Sequence, residues 1–172
     1  MPAKLKAGTA MPQMKLAKLG GGTAEIGGKR DKWQLVVVYR GRHCPICKRY
    51  LTSLNGLVEG FHDLNTEVIA VSADPKEKAE ADKKDLDLGF EVAYDLSLDQ
   101  MRALGLYISN PRSPQETDRP FSEPGIFIVN PEGQAQVIDI SNAPFARPDL
   151  NGILNGLKIT QERGYSARGT AE

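Results

Sequence analysis

The chain has 172 residues, 40% hydrophobic and 26% charged, with 22 basic side chains against 22 acidic ones. That length suffices for one domain with a buried core, and no apolar run approaches the roughly 20 residues of a membrane span. The only two cysteines, Cys44 and Cys47, are too close together to be a secreted disulfide framework.

In chain order, Met1 to Ala10 carries lysines but no apolar stretch of signal-peptide length, so a cytoplasmic protein is expected. Residues 8–30 are rich in glycine. Met14 and Leu16 alternate with Lys15, Gly20-Gly21-Gly22 supplies a turn, and Thr23 to Ile26 returns, which reads as a hairpin. The triple glycine lacks the lysine and the strand-to-helix context of a phosphate-binding loop. Leu35 to Tyr39 is short, β-branched and not alternating, as expected of a central strand covered on both faces.

Cys47, Tyr50, Leu51, Leu54, Val58 and Phe61 then recur at helical spacing, predicting one helix that opens at Cys44-Pro45. Glu67 to Ser72 reads as a second buried strand. The next helix is expected to start with Asp74 as N-cap and Pro75 at its first position, and to run to Leu88 before Gly89. Val92 to Tyr94 reads as a short strand and Leu98 to Leu104 as a short helix ended by Gly105. Residues 109–124, with four prolines, read as a loop. Ile126 to Val129 and Gln134 to Ile140 flank an Asn-Pro-Glu-Gly turn, and Leu150 to Leu157 marks a closing helix. The polar tail 163–172 reads as mobile, around a core of about 8–160 in a single domain 1–172. No function is read into residues 141–148.

The chemistry centres on the Cys-x-x-Cys. Cys44 at a helix N-terminus has its sulfur near unpaired N–H groups, which favour thiolate. Arg40, Arg42, Lys48 and Arg49 add positive charge. An unperturbed thiol is only about 3% ionised at pH 7, so a downward shift of two to three units creates a nucleophile. Cys47 can close a small disulfide with it. Residues 1–50 hold eleven Lys/Arg against two Asp/Glu, and residues 51–100 hold four against twelve. The basic half can tune Cys44 and attract anionic thiols, while its distant lysines read as solvated surface. No basic face with aromatic support points to nucleic acid.

The pattern resembles the thioredoxin-fold superfamily, and within it the peroxiredoxin-like alkyl hydroperoxide reductase/thiol-specific antioxidant group. The carriers are Val38 to Cys47, Val68 to Asp74, Val92 to Asp95 and Pro124 to Gly133. The resemblance implies an α/β thioredoxin-like fold: a central mixed sheet flanked by helices, with an N-terminal hairpin extension. It implies a thiol-dependent oxidoreductase with no metal or other cofactor. Its partners would be a peroxide or protein disulfide and a thioredoxin- or glutathione-type reductant, with dimerisation common among relatives. It implies a cis Pro124 against the cysteines. The family's second active-site arginine has no clear match here, since Pro124 occupies its place; Arg40 or Arg119 is left to supply that charge, and Arg40 and His43, beside the cysteines in sequence, are taken with Pro124 as substrate-positioning residues. The sequence departs from the peroxiredoxin motif. Seven and three residues before the peroxidatic cysteine, a proline and a Thr or Ser are usual; counted from Cys47 these positions hold Arg40 and Cys44, and counted from Cys44, Val37 and Gly41. The helix-end argument favours Cys44 as attacker and the ungapped register favours Cys47; burial of Cys47 on the apolar stripe tips the choice to Cys44. Two other uses of the pair stay open: a redox sensor without turnover, and a metal site recruiting His43 or His62.

Overall fold

The computed structural model describes residues 4–172, so the first three residues of the N-terminal stretch lie outside it. β1 (Met14–Ala17) and β2 (Thr23–Ile26) form the expected antiparallel hairpin. The central sheet holds β3 (Trp33–Val38), β4 (Thr66–Val71), β5 (Glu91–Ala93), β8 (Gly125–Val129) and β9 (Ala135–Ile140), in the order β5-β4-β3-β8-β9. β3, β4 and β5 run parallel, whereas β8 is antiparallel to β3 and β9 antiparallel to β8, so the sheet is mixed. Between β5 and β8 lie β6 (Ile108–Ser109) and β7 (Phe121–Ser122), which pair with each other and pin the mouth of the proline-rich loop.

β3 is central because both of its faces are apolar. Leu35, Val37 and Tyr39 enter one core, with α1 (Pro45–Asn55), α2 (Val58–Asp63), α3 (Lys76–Asp85) and α5 (Leu150–Arg163). Val36 and Val38 enter the other, with the hairpin and α4 (Leu98–Ala103). Period-two alternation thus feeds two cores from one strand. The cysteines lie in the first core, at the C-terminal end of β3.

The single helix predicted after Cys44 is two helices. Gly56 closes α1 and the chain restarts at Leu57, where its N–H bonds back to Leu54 C=O at 2.9 Å. Gly56 is a poor helix former, and the preceding Asn55 is tied elsewhere: its side chain donates to Asp87 C=O and accepts from Gly89 N–H. The α3 boundaries differ for similar reasons. Pro75, not Asp74, is the N-cap, because the Asp74 carboxylate is occupied by the cysteine turn. α3 stops at Asp85 because Asp87 makes the left-handed turn (φ 51°) that was expected of Gly89. The tail lies against the start of the chain: Gln136 Nε2 donates to Tyr165 C=O at 3.1 Å, and Lys6 pairs with Glu172. Among the described residues no helix is long and apolar enough to cross a membrane.

Candidate active site

The turn from Tyr39 to Cys44 is built by Gly41 and Asp74. Gly41 has φ 136°, and a Cβ there would lie 2.9 Å from both Asp74 carboxylate oxygens, so only glycine fits. The Arg42 backbone N–H donates to Asp74 Oδ2 at 2.7 Å, and the Arg42 guanidinium reaches back to Asp82 and Asp85 on α3. Burial pushes the Asp74 carboxyl upward while the Arg42 N–H pulls it down. Asp74→Ala leaves that half-buried N–H without its acceptor and is expected to cost about 1–2 kcal/mol, read as a lower urea midpoint at unchanged slope. Arg42 is therefore committed to α3 rather than to the thiol.

Cys44 is the N-cap of α1, and its sulfur accepts the Cys47 N–H at 3.2 Å. Both cysteines are free and buried, at 1% and 0% exposure. The Cys44 thiol is pulled down to about 6, first by the hydrogen bond from the Cys47 side chain, then by the Cys47 backbone N–H and by Arg40, against the opposing effect of burial. The Cys47 thiol is pushed far up, because it donates to Cys44 and is itself buried. Within the pair the anion is therefore favoured on Cys44 and the shared proton on Cys47.

Arg40 is fixed from below. Its Nε contacts Glu123 at 3.0 Å, and Glu116 lies 3.8 Å from its Nη2. Ser109 Oγ also donates to Glu123, and the Phe121 ring lies 4.9 Å under the guanidinium. The loop 109–124 thus carries the two carboxylates that orient Arg40. The His43 ring nitrogens are buried without hydrogen-bond partners, and its ring meets Phe121 edge-on at 4.6 Å. Burial, and then Arg40, push the imidazole below its usual value. Arg119 is engaged by Asp118, Asp95 and Ala73 C=O, away from the sulfurs. His62 lies in the last turn of α2, before the start of β4, and so at the opposite end of the parallel strands β3 and β4 from Cys44. Among the described residues no three His, Cys, Asp or Glu side chains converge as a metal site would require.

Pro124 lies one residue beyond the Val38–Gly125 pair, alongside Tyr39, and is buried. The expected cis bond is absent: no described peptide bond is cis. The chain runs straight from β7 into β8 here, and Pro124 C=O accepts the Ser141 N–H at 3.1 Å.

The residue that sequence reading missed is Arg147. Its Nη2 reaches Cys47 Sγ at 3.2 Å, it is held by Pro144 C=O, and its guanidinium stacks over Tyr50 at 4.5 Å. Tyr50 OH fixes the neighbouring Pro148 C=O at 2.7 Å. One hundred residues separate Arg147 from Cys47, and no local pattern marks it.

Comparison with known proteins identifies the family and the fold. YkuU of Bacillus subtilis (strain 168), named as a peroxiredoxin, is 28% identical over 143 residues, covering 79% of this chain and 74% of that protein. The crystal structure of a peroxiredoxin-like protein from Aquifex aeolicus matches with a TM-score of 0.78 at 18% identity, over 91% of this chain and 88% of that one. Mycobacterium tuberculosis AhpC matches with 0.76 at 19% identity, over 98% and 100%. These two likenesses show the thioredoxin fold. The model of the AhpC/TSA family matches residues 7–138, and the chain belongs to that family of peroxiredoxin-like thiol oxidoreductases.

Proposed function

We propose that this thiol peroxidase works through the Cys44–Cys47 pair, with Cys44 as nucleophile. The observation that carries the reading is that the Cys47 N–H lies on Cys44 Sγ while Arg147 lies on Cys47 Sγ, so each sulfur has its own stabilising group. The Cys44 thiolate attacks a peroxide oxygen; an S–O bond forms, the O–O bond breaks, and the departing alkoxide or hydroxide takes a proton. Cys44 is then a sulfenic acid and no longer an anion. The main influence that raised Cys47 has gone, and Arg147 now favours its thiolate. Cys47 attacks the sulfenic sulfur and expels water, leaving the Cys44–Cys47 disulfide. Two reducing equivalents from an external thiol restore the pair. In this reading His43 and Pro124 position the incoming substrate at Cys44, and Arg40 orients the peroxide. The same thiolate can attack a disulfide substrate, giving a mixed disulfide that Cys47 resolves.

A second reading has Cys47 attack first, as the ungapped register suggests, and the Arg147 contact favours it. Alkylation of the reduced protein by iodoacetamide separates the two. With Cys44 as thiolate, the pseudo-first-order rate rises through a midpoint near pH 6 and the label maps to Cys44. The sign follows from the shift: above the midpoint the reactive form predominates, below it the thiol. A midpoint above pH 8, or a label on Cys47, would remove Cys44 from the role.

A further inference from the structure

Arg147 serves two surroundings at once. On one side it touches Cys47; on the other it lines an open groove of about 510 Å³ between α1 and the 147–151 segment, with Tyr50, Ser53, Gly56, Leu57, Asn151 and Asp149, whose carboxylate is held as the α5 cap by the Gly152 N–H. Its Nη1 is buried with no hydrogen-bond partner, although Nε and Nη2 are both engaged. A buried guanidinium nitrogen left unpaired is a donor without its acceptor, and once the side chain turns toward the groove a carboxylate supplies that acceptor in the geometry arginine prefers. The volume lies within the range of small-molecule sites.

From this groove and this orphan donor we infer a second substrate site, one that binds a small carboxylate-bearing thiol and delivers its sulfur to Cys47. The inference rests on the Cys44–Cys47 disulfide proposed above and adds the class and entry route of its reductant. The oxidised pair has no thiolate for Arg147 to stabilise, so the guanidinium is free to take the incoming carboxylate. Drawing it from Cys47 Sγ uncovers the sulfur that is otherwise capped. The incoming thiolate forms an S–S bond to Cys47 and breaks the Cys44–Cys47 bond, and the electron pair leaves on Cys44. That direction leaves the departing Cys44 thiolate on the Cys47 backbone N–H at the N-terminus of α1, which stabilises it. A second thiolate then attacks the mixed disulfide at the small molecule's sulfur. The products are a small-molecule disulfide and the Cys47 thiolate, which takes a proton. One protein disulfide is reduced and two small thiols are oxidised.

The test uses full-length protein oxidised with one equivalent of hydrogen peroxide. Mass spectrometry first verifies the internal disulfide; if none forms, the reading beneath this inference fails and the inference goes with it, before any thiol is added. Reduction is then timed with 3-mercaptopropionate, 2-mercaptoethanol and cysteamine, each rate divided by that thiol's own thiolate concentration. The carboxylate thiol is expected to lead the neutral one by about five-fold, and the amine to trail. Arg147→Gln removes that lead and Arg147→Lys keeps part of it. Ser53→Glu, on the exposed side of the groove, turns the order toward cysteamine. Acid-quenched intermediates should carry the adduct on Cys47. Equal rates for the three thiols, a lead that survives Arg147→Gln, an adduct on Cys44, or reduction by thioredoxin alone would each overturn the assignment.

Discussion

Cys44→Ser is expected to bring peroxide consumption down to the rate of buffer, whereas Cys47→Ser should leave one rapid turnover per chain and then stop. The asymmetry follows from the shared proton. Cys44 Sγ receives the Cys47 N–H and thiol and faces Arg40, so its anion is already formed at neutral pH; a serine hydroxyl there has no comparable anion and no O–O cleaving ability. In the proposed mechanism Cys47 does its work only after the first attack. Without it the Cys44 sulfenic acid forms once and waits for an external thiol. In Cys47→Ser the hydrogen bond from the thiol is replaced by one from a hydroxyl, and the backbone N–H is retained, so the first attack survives. The measurement is stopped-flow peroxide loss over the first turnover, with dimedone trapping and mass analysis of the product. A sulfenic adduct on Cys44 in the Cys47→Ser protein is the expected outcome. The reverse pattern, a burst in Cys44→Ser and none in Cys47→Ser, would hand the nucleophilic role to Cys47 and make Arg147 its activator.

The parts of this site legible in the sequence are those set by neighbours in the chain. Pro45 at the first helical position makes Cys44 the cap, and the cap places Cys44 Sγ over the Cys47 N–H; three residues contain the whole argument. The β3 run was legible for the same reason, since a strand covered on both faces needs no partner to declare itself. What stayed hidden depends on residues brought together by the sheet. Glu123 is 83 residues from Arg40 and Arg147 is 100 from Cys47, and each charge looks like ordinary surface until the fold buries it. Asp74 shows how a correct local rule loses to a tertiary demand: Asp before Pro is a good cap, yet the carboxylate is drawn to the Arg42 N–H, and the cap passes to Pro75. Arg42 itself counts toward the thiolate by proximity in sequence, but two aspartates on α3 hold it. Proximity along the chain identified the cysteines; only the sheet order shows which of the nearby arginines reaches them.

Arg40→Gln is therefore expected to slow Cys44 alkylation and peroxide attack by about fifty-fold at pH 6, with a much smaller effect at pH 9.5. The magnitude follows from ionisation. A thiol at about 6 is half thiolate at pH 6; losing a guanidinium in contact moves such a group by about one to three units, and two units would leave about 1% thiolate. The substitution does more than delete a charge. Glu123 is buried and directs its carboxylate at Arg40, so a neutral amide in place of the guanidinium leaves an uncompensated negative group close to the sulfur, which raises the thiol further. At pH 9.5 the thiol is ionised in either protein, so recovery there separates a lost pKa shift from a damaged fold. The double variant Arg40→Gln with Glu123→Gln removes the stranded carboxylate and should regain part of the rate at pH 6. That recovery is the decisive reading, because a purely steric role for Arg40 would not respond to a change at Glu123. A midpoint that stays near pH 6 in Arg40→Gln would show that the helix N-terminus and Cys47 hold the thiolate by themselves, and Arg40 would then be left only the orientation of the peroxide.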